Sequence, residues 1–530
     1  MQKENSKLPK TKKLLFSYLF FFFLCNCQNE KDSLDSTLEN SEIASPYLYL
    51  IPKPYHIIAE ESYFQLKFRS EFSKEKLKNI LKKSKLSIKD LESNPSLEFK
   101  DQDFKFSITH GPTVHFTNRE YDTEIPLLFY GPKFFEEGIY LQAANHQNIA
   151  PTLANLIGLS QDSFREKPLG IQKPDAKIPK LVVSIVIDQG GFSLLSTHKN
   201  SFPFLAKLMR HSAYFPKAKV SHVEAHTAVS HAAIGTGSFP KWNGVHGNET
   251  IRLKNGKVAY TKIYEPSKDA LDFSELKTKT FAEILDEKFQ EKPVIISQCY
   301  ALRASVGVAG FRGKDKDFVY WQTKGKWTTD PKHFQLPRSV SRFPNLDYTN
   351  AETTLSSSLQ VESETELFLN TIRETILSTD YSKNLFPHFA HVTLKSTDAS
   401  GHIHGAESEN TARVLEATDQ SIQKIFEFLQ EHFQDQFVVV ITADHGVSPL
   451  PELNGGDRLS YEKIVAEVQS LLPDLVREKE SLIQVGTNST VVVNTETMKK
   501  YNISIHAIRE KLLQIQNRFG KSFFEDVLVR

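Results

Sequence analysis

Three β-branched runs, each ending in residues that bear carboxylate or imidazole, constrain this chain more than any other feature. Lys180-Leu-Val-Val-Ser-Ile-Val-Ile187 ends at Asp188, Phe389-Ala-His-Val-Thr-Leu394 ends near Asp398, and Phe437-Val-Val-Val-Ile-Thr442 runs into Asp444-His445. Near-continuous apolar strands of this kind are buried on both faces, as in a parallel sheet covered by helices. Pro126-Leu-Leu-Phe-Tyr130 reads as a fourth strand, and amphipathic stretches at 203–211, 279–289, 407–432 and 503–515 read as helices. The expectation is an α/β fold with a central, mostly parallel sheet flanked by helices. Residues 312–360 show no clear period and are expected to form a smaller insertion or cap near the site. In open α/β sheets ligands bind beyond the carboxyl ends of the strands, so three clusters landing there point to one shared site.

Composition narrows the chemistry. The 530 residues carry 65 Lys+Arg against 64 Asp+Glu, which removes the electrostatic footprint of a protein that binds nucleic-acid duplexes. Three cysteines cannot build a disulfide framework or a cysteine-rich zinc site, so metal or acid–base chemistry must come from the 18 histidines and the carboxylates. Cys299 is expected to be a buried hydrophobe.

The amino terminus reads as an export signal. Lys3, Lys7, Lys10, Lys12 and Lys13 precede the apolar run Leu14 to Leu24, which is short for a membrane span. The run closes on Leu24-Cys25-Asn26-Cys27 and so resembles a bacterial lipoprotein signal, 1–27, with Cys27 acylated. Residues 28–45, rich in Ser, Glu, Asp and Asn, would then tether the protein to a membrane of the bacterial cell envelope. Ordinary signal cleavage and release is the alternative.

Asp398-Ala-Ser-Gly-His402 sets an acid and an imidazole four apart, Asp444-His445 offers adjacent ligands where the chain leaves the pleat, and Asp188 adds a third carboxylate. Oxygen and nitrogen donors in this proportion suit zinc or a neighbouring transition metal. Thr227, in Glu-Ala-His-Thr227-Ala-Val-Ser-His-Ala, stands at the start of a run of small residues, where a helix terminus favours an anion. Taken alone, Thr227 reads first as an ordinary N-cap.

These segments together resemble the alkaline phosphatase superfamily, in its type I phosphodiesterase/nucleotide pyrophosphatase and single-threonine phosphatase branch. The resemblance rests on the strand ending at Asp188, on Thr227-x-x-Ser-His-Ala followed by His-Gly-Asn248, on Ser-Thr-Asp398-x-x-Gly-His402 and on Thr-Ala-Asp444-His445-Gly. It implies a phosphoric ester hydrolase with two divalent ions, expected to be zinc, acting on a small phosphate ester or nucleotide. Thr227 would be the nucleophile of a phosphothreonine intermediate, and Asn248 would donate to the phosphoryl group. Sulfatases of the superfamily need Cys/Ser-x-Pro-x-Arg, which Thr227 does not sit in.

The family's last metal histidine lies in a Thr-His-Gly motif ahead of a Pro-Leu-Leu-Phe-Tyr-Gly strand. Here that block stands at the front, as Ile108-Thr-His110-Gly followed by Pro126-Leu-Leu-Phe-Tyr-Gly131 and Ile149-Ala-Pro-Thr-Leu153. The simplest account is a circular permutation, in which 46–165 supplies the family's carboxyl-terminal part, 166–179 is a linker and 180–530 is the main catalytic part of one domain. Residues 46–56 would lie close to residue 530. His110 is then the expected third ligand of the ion held by Asp398 and His402, with His115 as the competitor. Asp188, Asp444, His445 and Thr227 would hold the other ion. Where the monoesterase branch has Lys-x-Arg, this chain has Ala301-Leu-Arg303. One positive charge fewer weakens preference for a phosphate dianion, unless Lys314, Lys316 or Lys324 compensates. Diesters or nucleotides are therefore expected ahead of monoesters, a broad alkaline phosphatase is the alternative, and a non-catalytic surface-binding lipoprotein is the reading from another class.

Overall fold

The structure is a computed structural model that describes residues 47–529 apart from 103–104, 255–256, 266–270, 316, 344–355 and 487–488. The export signal, Cys27 and the tether lie outside the described residues. No helix among the described residues is long and apolar enough to cross a membrane.

Six strands build the central sheet: β1 (Leu127–Tyr130), β2 (Leu181–Ile187), β3 (Ile295–Gln298), β4 (Phe318–Thr323), β5 (His388–Leu394) and β6 (Phe437–Thr442). They run in the order β4-β3-β5-β2-β6-β1 inside a sheet of nine, with short strands completing both edges. The first five are mutually parallel and β1 is antiparallel to β6. Every residue of β2, β5 and β6 is buried, as their β-branched runs require. Val182 and Val186 point into one core and Leu181, Val183, Ile185 and Ile187 into the other, the period-two alternation of a sheet with helices on both sides.

On the first face pack α1 (Thr227–Thr236), α2 (Phe281–Lys288) and α3 (Leu302–Ala309). On the second lie α4 (Ser358–Thr375) and α6 (Glu409–Phe433), with α5 (Ser396–His404) between β5 and α6. The sheet thus has the expected architecture, with one difference. β4, inside the stretch read as an insertion, is a strand of the main sheet paired in parallel with β3. Its Phe-Val-Tyr-Trp-Gln-Thr sequence breaks the apolar pattern, but Tyr320 is fully buried and its hydroxyl donates to Gln298 of β3 at 2.8 Å.

α1 and α3 approach at glycines. A Cβ on Gly235 would lie 2.3 Å from the Gly307 carbonyl oxygen and 2.8 Å from Val308 Cα, so only hydrogen fits there. The contact fixes the two helices whose amino termini carry Thr227 and Arg303.

The two ends of the described residues meet. Tyr47–Pro52 pairs antiparallel with Phe524–Val529, Leu48 facing Val529, in a four-stranded sheet with its own hydrophobic core. A further three-stranded sheet joins Phe68–Ser73, Glu98–Gln102 and Lys105–His110.

Candidate metal centre

β5, β2 and β6 are adjacent and nearly level at their carboxyl ends, with Leu394 opposite Ile187 and Thr442 opposite Val186. Asp188 therefore leaves β2 between Lys395, which follows β5, and the Asp444-His445 pair beyond β6. Asp398 in the first turn of α5 and His402 one turn later share a helix face, with His402 Nε2 3.3 Å from Asp398 Oδ1. Two donor groups result. Ligand atoms of His115, Asp398 and His402 lie within 4.8 Å of one another, as do those of Asp188, Asp398 and His445. Asp398 belongs to both. Asp444 borders the second group, its Oδ2 3.2 Å from His445 Nε2.

Each carboxylate has one oxygen satisfied and one left over. Asp188 Oδ2 accepts from Lys395 Nζ at 2.8 Å, and Asp398 Oδ2 accepts from the same ammonium. Asp444 Oδ1 accepts from the backbone N–H groups of Gln189 and His445, at 3.1 and 2.9 Å. The other oxygens, Asp188 Oδ1, Asp398 Oδ1 and Asp444 Oδ2, are buried without a hydrogen-bond partner among the described residues. Leaving one such group unpaired costs about 1–3 kcal/mol, and three in one place call for an occupant.

The imidazoles are set up alike. Nδ1–H of His402 donates to the Thr113 carbonyl at 2.7 Å, that of His445 to the Gly446 carbonyl at 3.0 Å and that of His115 to the Ala225 carbonyl at 2.6 Å. A carbonyl only accepts, so each Nε2 carries a lone pair, the tautomer a metal needs.

Electrostatics agree. Burial first, then Asp398 and Asp444, push the Asp188 carboxyl well above its ordinary range. Burial pushes Asp444 up to about 7. Burial opposes ionisation of Asp398 too, but Lys395 and His402 outweigh it and hold that carboxyl low. Burial pushes His445 down to about 3, and burial with the neighbouring imidazoles of His445 and His402 carries His115 well below its usual value. Burial also works against His402, yet Asp398 raises it. Three buried carboxyl groups, the imidazoles of His115 and His445 kept neutral by burial, and His402 beside Asp398 form a cage that favours divalent cations.

His110 is not part of it. Its Nδ1 donates to the Gly111 carbonyl at 2.6 Å and its Nε2 lies 2.8 Å from Ser70 Oγ, so both nitrogens are engaged. The structure instead brings His115 to Asp398, 3.8 Å from Oδ1. The sequence signal misled because it was a His-Gly pair. The backbone after His115 does adopt a conformation that favours glycine, φ +114°, but Phe116 occupies it.

Thr227 is the first residue of α1, and its hydroxyl lies 3.4 Å from His445 Nε2. Asn248 Oδ1 accepts from the Ala228 N–H at 3.0 Å, which turns its NH₂ group outward as a donor. Arg303, second residue of α3, has a buried Nε without a partner among the described residues, and its charge reaches Lys395 and His226. Lys314 is exposed, and its N–H meets Glu291 near the amino ends of β3 and β4, away from this centre. Lys324 is exposed too, and Lys316 lies outside the described residues. The cation the site does contain is Lys395, which nothing in the local sequence marks.

The model of the type I phosphodiesterase/nucleotide pyrophosphatase family matches residues 182–527. Alkaline phosphatase PhoD of Zymomonas mobilis is 23% identical over 316 residues, covering 52% of this chain and 54% of that protein. Alkaline phosphatase PhoK of Sphingomonas sp. is 23% identical over 341 residues, covering 54% and 58%. The chain thus spans a little over half the length of these curated relatives. The crystal structure of wild-type alkaline phosphatase PafA superposes with a TM-score of 0.51 at 17% identity, over 64% of this chain and 76% of that one, a likeness of fold. With the match spanning β2 through the last strand and including both donor groups except His115, the chain belongs to the type I phosphodiesterase/nucleotide pyrophosphatase family.

Proposed function

We propose that the protein hydrolyses phosphoric esters, diesters and nucleotides ahead of simple monoesters, by attack of Thr227 on phosphorus. The observation that carries this reading is the convergence of three orphaned carboxylate oxygens and three imidazole Nε2 lone pairs beside a helix-terminal hydroxyl. That donor set fits two divalent ions, zinc by its mixture of nitrogen and carboxylate oxygen. Asp398, His402 and His115 would hold one, and Asp188, Asp444, His445 and Thr227 the other. When bound, such a pair lowers the pKa of a hydroxyl and offsets charge on the entering and leaving oxygens.

The chain's own groups supply the rest. The α1 amino terminus directs N–H groups at an anion in front of Thr227. The Asn248 NH₂ and the Arg303 guanidinium are placed to donate to non-bridging phosphoryl oxygens. Thr227 Oγ loses its proton and bonds to phosphorus as the bond to the leaving alcohol breaks. Water then cleaves the phosphothreonine and returns the hydroxyl.

The same geometry supports the permutation: the paired termini, β1 alongside β6, and a family match that begins at 182 while His115 lies before it. The chain's start further supports export and anchoring at Cys27, which mass spectrometry of the mature protein checks. A second reading, a phosphomonoesterase, is favoured by Lys395, a second cation beside Arg303. Turnover of bis-p-nitrophenyl phosphate against p-nitrophenyl phosphate decides between them. Thr227→Ala should still bind zinc, more weakly at the position held by Asp188, Asp444 and His445, and turn over neither ester. Activity retained in that variant removes the covalent route.

A further inference from the structure

At the opposite edge of the sheet, near the amino ends of β3 and β4, four acids gather without chemistry to explain them. Asp286 belongs to α2, Glu291 follows that helix, and Asp315 and Asp317 lie in the loop that enters β4. Oxygens of Asp286, Glu291 and Asp315 lie within 4.8 Å of one another. A Cβ on Gly313 would stand 3.3 Å from Asp317 Oδ2 and 3.7 Å from Asp286 Oδ2, so those two carboxylates border the same small space.

Asp286 is the telling residue. It is 1% exposed, and neither carboxylate oxygen has a hydrogen-bond partner among the described residues. The neighbours are differently engaged: Asp317 Oδ1 accepts from the Ile295 N–H at 3.2 Å, and Glu291 from the Lys314 N–H at 2.8 Å. Of the cations nearby among the described residues, Arg312 is committed to Glu283 at 3.1 Å, and the charge of exposed Lys314 acts on Glu291. A buried aspartate facing three other acids is unfavourable in its ionised form, so the cluster takes up either a proton, shared between Asp286 and Glu291, or a cation that displaces it.

We propose that Asp286, Glu291, Asp315 and Asp317 form a calcium site. The donors are all carboxylate oxygens, with no imidazole or thiolate, which selects a hard cation over zinc. Ligand number selects among hard cations: calcium takes about 6–8 oxygens and accommodates several carboxylates, whereas magnesium is usually held through one or two carboxylates and keeps several waters. The ion would tie the end of α2 and its following turn to the loop that leads from α3 into β4. Raised carboxyl pKa values accompany the arrangement: burial first, then the other acids, push Asp286 up to about 9 and Asp317 up to about 8.

The test titrates CaCl₂ into the zinc-loaded full chain, by calorimetry and by thermal melting. The expected result is one saturable calcium per chain and a melting temperature that rises with calcium. Asp286→Asn should melt no lower than wild type without calcium, because a buried repulsion is gone, and should lose the calcium-dependent rise. Glu291→Gln, at a half-exposed position, should weaken calcium binding about tenfold or more. Asp398→Asn should keep the calcium response, separating this site from the catalytic centre. No binding or shift in wild type overturns the proposal. So does a full response in Asp286→Asn and Glu291→Gln, or its loss in Asp398→Asn, either of which puts the ion elsewhere.

Discussion

Gly235→Ala tests whether the α1–α3 contact positions the reacting groups. In an isolated helix the change would help by about 1 kcal/mol, since alanine is the better helix former. Here the new Cβ meets the Gly307 carbonyl oxygen at 2.3 Å and Val308 Cα at 2.8 Å. Ordinary contact needs about 3.5 Å, so the helices must part by about 1 Å. Both atoms are backbone and cannot rotate away, which places the overpacking cost at the upper end of about 1–3 kcal/mol. The steric term outweighs the propensity gain, and a net loss of about 1–2 kcal/mol is expected. The displacement acts on Thr227 and Arg303 together, and a misplacement of about 1 Å can cost about a hundredfold in rate. Urea unfolding followed by circular dichroism reads the first effect, and kcat on p-nitrophenyl esters the second. Wild-type stability with unchanged kcat would refute the reasoning.

Further expectations concern ligands, charge and pH. His115→Ala should weaken zinc binding more than about a hundredfold, since even outer partners of metal ligands cost about 10–100-fold. His110→Ala should keep its zinc and lose about 1–3 kcal/mol of stability through the two buried hydrogen bonds it removes, so metal analysis of the two variants separates them. Lys395→Met should lower kcat/KM for the p-nitrophenyl phosphate dianion about tenfold, and less for the diester monoanion. Glu407, buried with both oxygens accepting from Asn454 Nδ2, is pushed up to about 7 chiefly by burial. Its folded pKa exceeds its unfolded value, so the folded protein holds more protons between about pH 4.5 and 7 and stability falls as pH rises through that window. Glu407→Gln should recover up to about 3 kcal/mol at pH 8 relative to pH 5, measured as the difference between the two urea midpoints.

The sheet was legible because β2, β5 and β6 are buried on both faces and therefore spelled in β-branched residues, and because their final positions carry acids no core needs. β4 was hidden by Tyr320 and Gln322, polar residues that are nonetheless buried, Tyr320 with its hydroxyl bonded to Gln298 and Thr371. His115 was hidden for a backbone reason: the residue after it takes a glycine-like conformation without being glycine, so the motif pointed five residues too early. Lys395 could not be seen at all. Its burial depends on Asp188, brought alongside only when β5 pairs with β2, and on Asp398 turning back over the strand end. The proposed permuted order rests on motifs that the front block keeps, and the pairing of Leu48 with Val529 is the proximity that such a rearrangement would require.

Crystals of the zinc-loaded protein, measured on both sides of the zinc absorption edge, address the metal centre directly. The expected map has two anomalous peaks, one met by Asp398, His115 and His402 and the other by Asp188, Asp444, His445 and Thr227. A single peak, no peak, or a peak coordinated by His110 in place of His115 would contradict the account.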